Sequence, residues 1–262
     1  MAKMPLIEDT LFGRIDKVKI AIERLKTFEP PEGYYLAFSG GKDSQCIYHL
    51  AEMAEVKFDS HMNLTSVDPP EVIRFVRQYY PLVKLHRPER TMWQLIKKWK
   101  ILPTRGARYC CSELKEKGGH ERRVMTGIRW AESLQRSKRS MTEHCLKDKS
   151  KTYIHPIIDW EDEDVWEFIR LKEIPYCKLY DEGFKRIGCL FCPMDGKHRI
   201  EEAKRYPGYV KVFIKAFEKM YQNKKEKGLT SCDRWKDGEE MFWWWLCENR
   251  EKQQKDQYFM FD

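Results

Sequence analysis

The sequence predicts an α/β fold: a parallel twisted sheet with helices on both faces, followed by a helical C-terminal region. Three observations predict it. Short apolar runs alternate with amphipathic stretches from residue 34 to about 170, the order of strand and crossover helix in a parallel sheet. The pair Gly40-Gly41 stands where the first of these strands hands over to a helix. Beyond Cys192 the period becomes helical, with Val212, Phe213, Ala216, Phe217, Met220 and Tyr221 on one apolar stripe.

Taken in order, Leu11, Ile15, Val18, Ile22 and Leu25 recur at steps of four and three and predict an opening helix that Pro30-Pro31 and Gly33 end. Tyr34 to Phe38 reads as a buried strand and Asp43 to Ala54 as a helix. Asp59 to Val67 is the second strand, and Pro70 to Tyr79 a helix with proline at its start. Leu82–Leu85, Arg123–Ile128 and Tyr153–Ile158 give three more strands, and Met92–Trp99 a further helix. Phe242-Trp243-Trp244-Trp245 is expected to anchor a last helix in the core. Gly118-Gly119 and the polar run Ser137 to Lys151 are the expected mobile loops. The domain reading is therefore an N-terminal helix over 1–30, an α/β domain over 31–195, and a helical region over 196–262.

Of the 262 residues 42% are hydrophobic and 13% aromatic, enough to bury a core and to exclude general disorder. The longest apolar run, Met241 to Cys247, is far short of the roughly 20 residues a membrane helix needs. Met1 to Pro5 carries no apolar signal region. These features and nine cysteines, an odd number, point to a cytoplasmic protein without a disulfide framework. The net charge is +8, yet Lys97 to Lys151 alone holds sixteen Lys or Arg against six Asp or Glu. A basic stretch of this density suits nucleotide phosphates, sulfate or a nucleic-acid backbone, or else serves as a solvated face.

Ser39-Gly40-Gly41-Lys42-Asp43-Ser44 carries the chemistry. Two glycines let the backbone aim N–H groups inward, the helix start adds partial positive charge, Lys42 a full one, and Ser39 and Ser44 hydroxyl donors. The set suits an oxyanion such as pyrophosphate, and it is not a Walker A loop. Lys42 and Asp43 are both expected on an exposed loop.

This loop resembles the pyrophosphate loop (PP-loop) of the Rossmann-like adenine nucleotide α-hydrolase superfamily. More narrowly, residues 30 to 195 resemble the phosphoadenosine phosphosulfate (PAPS) reductase family. Thr65-Ser66-Val67-Asp68 corresponds to the family's adenosine-holding segment, and Gly127-Ile128-Arg129-Trp130-Ala131-Glu132-Ser133 with Arg136 to its second phosphate loop. His155 to Trp160 with Asp164-Val165-Trp166, and Pro175 to Cys189, match two further segments. The resemblance implies nucleotide contacts from Ser39, Gly40, Gly41, Lys42, Asp43, Ser44, Asp68, Gly127, Arg129 and Arg136. Among these Lys42, Asp43 and Arg129 are the catalytic candidates, with Asp43 the better candidate to hold Mg2+.

Cys110-Cys111 and Cys189-Leu190-Phe191-Cys192 form the second constellation. Four thiolates satisfy a cubane cluster or tetrahedral zinc, and spacing alone does not separate iron from zinc. Arg105, Arg108, Lys115 and Arg186 are expected to offset their charge. The set is similar, thiol for thiol, to the ligands of the [4Fe–4S] cluster in the adenylylsulfate-reducing branch, which implies iron.

Reductases of the family use a Cys-Gly-[Ile/Leu]-His segment near the C-terminus, whereas Cys247 sits in Leu-Cys-Glu-Asn-Arg and the tail Tyr258 to Asp262 holds no cysteine. They also tend to carry a degraded loop, whereas this one is complete. The first expectation is therefore an ATP pyrophosphatase-type sulfur transferase with ATP, Mg2+ and a [4Fe–4S] cluster. It would act on a nucleic acid seated on residues 97–151, as in related DNA phosphorothioation and tRNA thiolation enzymes. Its sulfur would be held at the cluster or as a persulfide on Cys145 or Cys46. The alternatives are a sulfonucleotide reductase, fed by an electron-donor protein and using Cys232 or Cys247 on a sulfated adenine nucleotide, and a catalytically silent regulatory or defence-associated nucleotide-binding module.

Overall fold

The computed structural model describes residues 6–11, 13–196 and 198–247. Its described segments group into two compact units that interleave along the chain: residues up to 63, 70–86 and 118–187 in the first, and 64–69, 87–117 and those from 188 on in the second. The expected linear division is crossed by this grouping, because Cys110, Cys111, Cys189 and Cys192 group with the C-terminal helices.

In the first unit a hairpin, β1 (Ile7–Thr10) and β2 (Gly13–Asp16), precedes α1 (Lys17–Thr27). The expected opening helix therefore starts late. Leu11 and Ile15 obey its spacing but fall in the hairpin, because Gly13 takes φ +119° and Asp16 caps α1 by accepting from the N–H groups of Val18 and Lys19. The core sheet follows: β3 (Tyr34–Ala37), β4 (Phe58–Asn63), β5 (Lys84–His86), β6 (Arg123–Met125), β7 (Thr142–His144) and β8 (Thr152–Ile154), in the order β5-β4-β3-β6-β8-β7. All neighbours are parallel except β7 and β8. β3 is central, and its Tyr34-Tyr35-Leu36 run is buried, as a strand covered on both faces requires. Strand β7 lies inside the run expected to be mobile, and Gly118-Gly119 packs on Tyr35, where a Cβ at Gly118 would meet the phenol oxygen at 2.4 Å.

Helices α2 (Lys42–Met53), α3 (Pro70–Tyr79) and α6 (Asp162–Leu171) complete this unit. Buried Lys17 reaches Asp164 at 2.7 Å and Arg24 forks onto Asp159 at 2.7 Å through each nitrogen, so α1 is tied to α6 and to the turn before it.

The second unit packs α4 (Met92–Trp99), α5 (Tyr109–Leu114), α7 (Arg199–Arg205), α8 (Pro207–Glu226) and α9 (Gly238–Cys247). Five members of the α8 stripe are buried, while Val212 is 39% exposed. Phe242 and Trp245 enter the core, whereas Trp243 faces outward. Among the described residues no helix is long and apolar enough to cross a membrane.

Strand β8 leads into His155, which is fully buried with Thr126 Oγ1 2.7 Å from Nδ1 and Glu143 Oε1 3.0 Å from Nε2. These partners suit a neutral ring that accepts from Thr126 and donates to Glu143. Burial, reinforced by Arg139, lowers its pKa from 6.5 to about 4. The unfolded chain thus takes up this proton first, so stability is full above pH 6.5 and falls as the pH drops towards 4. Chemical denaturation at pH 7 and pH 4.5 should show this group contributing about 2–3 kcal/mol to the loss. His155→Gln should flatten the difference; an unchanged pH dependence would contradict the assignment.

Candidate nucleotide-binding site and four-thiol pocket

The order β5-β4-β3-β6-β8 reverses direction between β3 and β6, and in open α/β sheets ligands bind beyond the carboxyl ends of the strands at such a switch point. From β3 the chain enters Phe38 to Gly41 and then α2; from β6 it enters Thr126 to Arg129. Gly40 takes φ +74°, and a Cβ there would lie 2.9 Å from Val72 and Val76. Ser44 Oγ accepts the Ser39 N–H at 3.2 Å and donates to the Gly41 carbonyl at 2.8 Å, fixing the turn. Lys42 N–H donates to the Tyr180 hydroxyl at 2.9 Å.

Four charges converge on this turn. Lys42 Nζ lies 2.8 Å from Asp162 and 3.3 Å from Asp43. Arg129, 2% exposed, donates through Nε to Asp43 at 2.7 Å and through a terminal nitrogen to Asp162 at 2.6 Å. Its other terminal nitrogen donates to the Trp160 carbonyl at 3.1 Å. Burial disfavours charge on Arg129, but Asp43 and Asp162 more than offset it and hold the guanidinium above its ordinary value. Burial likewise pushes Asp162 up, and Lys42 and Arg129 bring it net below the usual carboxylate range.

Lys42 is not on an exposed loop: it is the first residue of α2 and 4% exposed. Asp162 was missed by sequence reasoning, and its signal lay in the Trp160 to Asp164 segment. Tyr180, within the segment Pro175 to Cys189, closes the turn from the other side through its hydroxyl. Arg136 pairs with Glu132, whose carboxylate also accepts the Arg129 N–H at 3.0 Å. Gly127 admits close approach: a Cβ there would stand 2.8 Å from the Asp43 carbonyl oxygen.

Asp68 belongs to the second unit. Its carboxylate accepts the Thr65 N–H at 2.7 Å and hydroxyl at 2.8 Å, and Thr65 Oγ1 in turn takes the Cys189 thiol at 3.3 Å. Cys110, Cys111, Cys189 and Cys192 all line one pocket, walled by Leu114, Phe191, Phe213 and Trp245. All nine cysteines are free thiols. The adjacent thiols of Cys110 and Cys111 interact so that ionisation of Cys111 is favoured, helped by Arg108 and Lys115, and that of Cys110 is disfavoured. Arg108 stands 3.7 Å from the Cys111 sulfur, and the Lys115 ammonium is held above its ordinary value chiefly by Cys189. Arg105 instead donates to the Pro193 carbonyl, and Arg186 belongs to the first unit. The donor chemistry fits a thiolate-bound centre: four sulfurs on one apolar pocket with cations beside them. The side chains do not form a closed shell, since no group of three or more His, Cys, Asp or Glu among the described residues is arranged to hold an ion.

Behind the pocket, Arg199 and Glu202 are buried, and burial lowers the former to about 10 and raises the latter to about 7. Of the remaining thiols, Cys46 and Cys232 are buried, and burial pushes Cys46 well up. For Cys46 this burial disfavours the thiolate that a nucleophile or persulfide carrier needs. For Cys145 burial opposes ionisation, but the Tyr153 hydroxyl and nearby backbone groups bring the thiol net below its ordinary value. Cys247 is half-buried, and the tail after it lies outside the described residues.

Residues 33–195 match the model of the phosphoadenosine phosphosulfate reductase domain. The chain belongs to the PAPS reductase family. An uncharacterised protein of Methanocaldococcus jannaschii is 34% identical over 60% of this chain, and the match spans only 40% of that protein. The chain thus spans about two fifths of the length of this archaeal relative. An adenosine 5'-phosphosulfate reductase of Staphylococcus epidermidis is 29% identical over 68% of this chain and 78% of its own. The PAPS reductase of Candida auris superposes with a TM-score of 0.51 at 19% identity, covering 64% of this chain and 87% of that one. The family and its nucleotide-binding PP-loop α/β fold therefore hold for this protein.

Gly127→Ala should force the Arg129 loop away from α2 and cost about 1–3 kcal/mol. Thermal unfolding checks it, and a wild-type midpoint would refute the close packing at Asp43.

Proposed function

We propose that this PAPS reductase family member is an ATP pyrophosphatase-type enzyme of sulfur transfer. The observation that carries the reading is the intact loop Ser39–Ser44 with two buried cations, Lys42 and Arg129, held at its mouth by Asp43 and Asp162. A polyphosphate entering at the switch point would take over Lys42 and Arg129 from the aspartates. Gly40, Gly41 and the start of α2 supply backbone N–H groups to the same anion, and Ser39 and Ser44 hydroxyls. The freed carboxylate of Asp43, with Asp162, would then hold Mg2+ against the phosphates.

In the reaction an acceptor oxygen attacks the α-phosphorus of ATP and pyrophosphate leaves, its charge neutralised by Lys42 and Arg129. A sulfur nucleophile then displaces AMP from the adenylated acceptor, forming the carbon–sulfur or phosphorus–sulfur bond as the oxygen departs with AMP. Positioning by rigid backbone supplies most of the acceleration. Cys110, Cys111, Cys189 and Cys192 would hold a [4Fe–4S] cluster, which supplies sulfur binding or electrons when bound. Asp68 and Arg136 are assigned to the nucleotide on the family resemblance, and the exposed basic residues within 97–151 to a nucleic-acid acceptor.

The relative from S. epidermidis favours a second reading, reduction of a sulfated adenine nucleotide to sulfite. One anaerobic preparation separates the two: pyrophosphate release from ATP supports the first, and sulfite release from adenylylsulfate with a dithiol donor and no pyrophosphate supports the second. In the first case Lys42→Met and Asp43→Ala should each lower pyrophosphate release about 100-fold or more, and wild-type rates would refute the loop assignment. Iron and sulfide counts near four per chain are expected. Cys111→Ser should bleach the cluster absorption, and an unchanged band would remove Cys111 from the ligand set.

A further inference from the structure

Of the two residues between Cys189 and Cys192, one holds a conformation that L-amino acids rarely adopt. Phe191 takes φ +58°, in the left-handed region, and its ring is fully buried. Three residues apart on α7, two buried charged side chains grip it. Glu202 Oε2 accepts the Phe191 N–H at 2.6 Å, and Arg199 Nε donates to the Phe191 carbonyl at 3.2 Å. Both backbone groups of the strained residue are thus tied to one turn of helix. Arg199 also donates to the carbonyls of Trp245 at 3.0 Å and Leu246 at 3.3 Å, and its guanidinium lies 4.2 Å from the Trp245 ring centroid. Trp245 is itself pinned by its indole N–H on the Pro103 carbonyl at 2.6 Å, and both residues line the thiol pocket.

Two ionisable residues buried in an aromatic core are expensive unless they do something that apolar residues cannot. We propose that Arg199 and Glu202 are the positioning residues of the four-thiol centre, clamping Phe191 in its left-handed conformation so that Cys189 and Cys192 face the same pocket as Cys110 and Cys111. The inference rests on the thiol reading above, though not on which metal the thiols take. Without the clamp Phe191 would relax to negative φ, turning Cys192 away from Cys189. The backbone N–H left buried by the loss of Glu202 would favour that relaxation.

Co(II) tests the clamp independently of cluster assembly, because a tetrathiolate site gives an intense sulfur-to-cobalt band. Reduced, metal-free full-length protein is titrated with Co(II) for the wild type, Glu202→Met, Arg199→Met, Glu202→Gln and Phe217→Leu. Phe217→Leu weakens the same core without touching Phe191. The clamp predicts a loss of Co(II) affinity of about 10- to 100-fold in Glu202→Met and Arg199→Met, as for other groups that orient metal ligands. Glu202→Gln, whose amide oxygen still accepts the Phe191 N–H, should restore affinity to near the wild-type value, and Phe217→Leu should keep it. Far-UV circular dichroism restricts the comparison to folded variants; should Glu202→Met not fold, the Arg199→Met and Glu202→Gln pair decides. Wild-type affinity in the folded methionine variants, or an equal loss in Phe217→Leu, overturns the clamp. A wild-type protein that gives no thiolate–Co(II) band overturns the four-thiol reading and the clamp with it, while pyrophosphate release from ATP would still stand.

Discussion

Arg129 is the group on which the first unit's site depends. Its guanidinium holds Asp43 at the start of α2, Asp162 at the start of α6 and the carbonyl of Trp160. Three segments far apart in sequence are thereby drawn to the carboxyl end of the sheet around one buried cation. A buried guanidinium tolerates that position only when its donors are matched by acceptors, and the two aspartates supply the matching charge. The same aspartates neutralise Lys42, so the cluster is a closed set of two cations and two anions. Pairing of this kind keeps the cations ordered without a ligand, and on the proposed reading a polyphosphate takes them over from the carboxylates. Binding and preorganisation are then one property of the same four side chains.

The second unit solves a different problem with related means. Its thiols lie on a pocket whose walls are aromatic and aliphatic, where an uncompensated thiolate would be costly. Arg108 and Lys115 bring positive charge towards them, while Thr65 takes the Cys189 thiol and is itself held by Asp68. The buried charged side chains of this unit, Arg199 and Glu202, serve the backbone of Phe191. Unpaired, either would be a liability; bound to both groups of one strained residue, they give the turn between the cysteines a single conformation.

The amino-acid sequence by itself determined five strands of the central sheet, the glycine turn after the first of them and two local groupings of cysteines. Those features are written in local order: apolar runs of strand length, glycines where the backbone must turn sharply, a lysine at a helix start, cysteines in pairs. The run Tyr34–Ala37 and the loop after it were legible because each residue's role depends on its immediate neighbours. Tertiary structure alone decided the rest. Leu11 and Ile15 keep a helical spacing but sit in a hairpin, since Gly13 and the Asp16 cap outweigh periodicity. Lys42 is buried and not exposed, because Arg129 and Asp162 arrive from residues 87 and 120 positions away. The Arg199–Glu202 clamp carried no local signature, for a charged residue on a helix reads as solvated until the fold shows what it faces. The grouping of Cys110 with Cys189 across 78 residues of other structure is likewise a fact of packing, because burial and charge pairing are properties of the assembled chain and no stretch of sequence contains them.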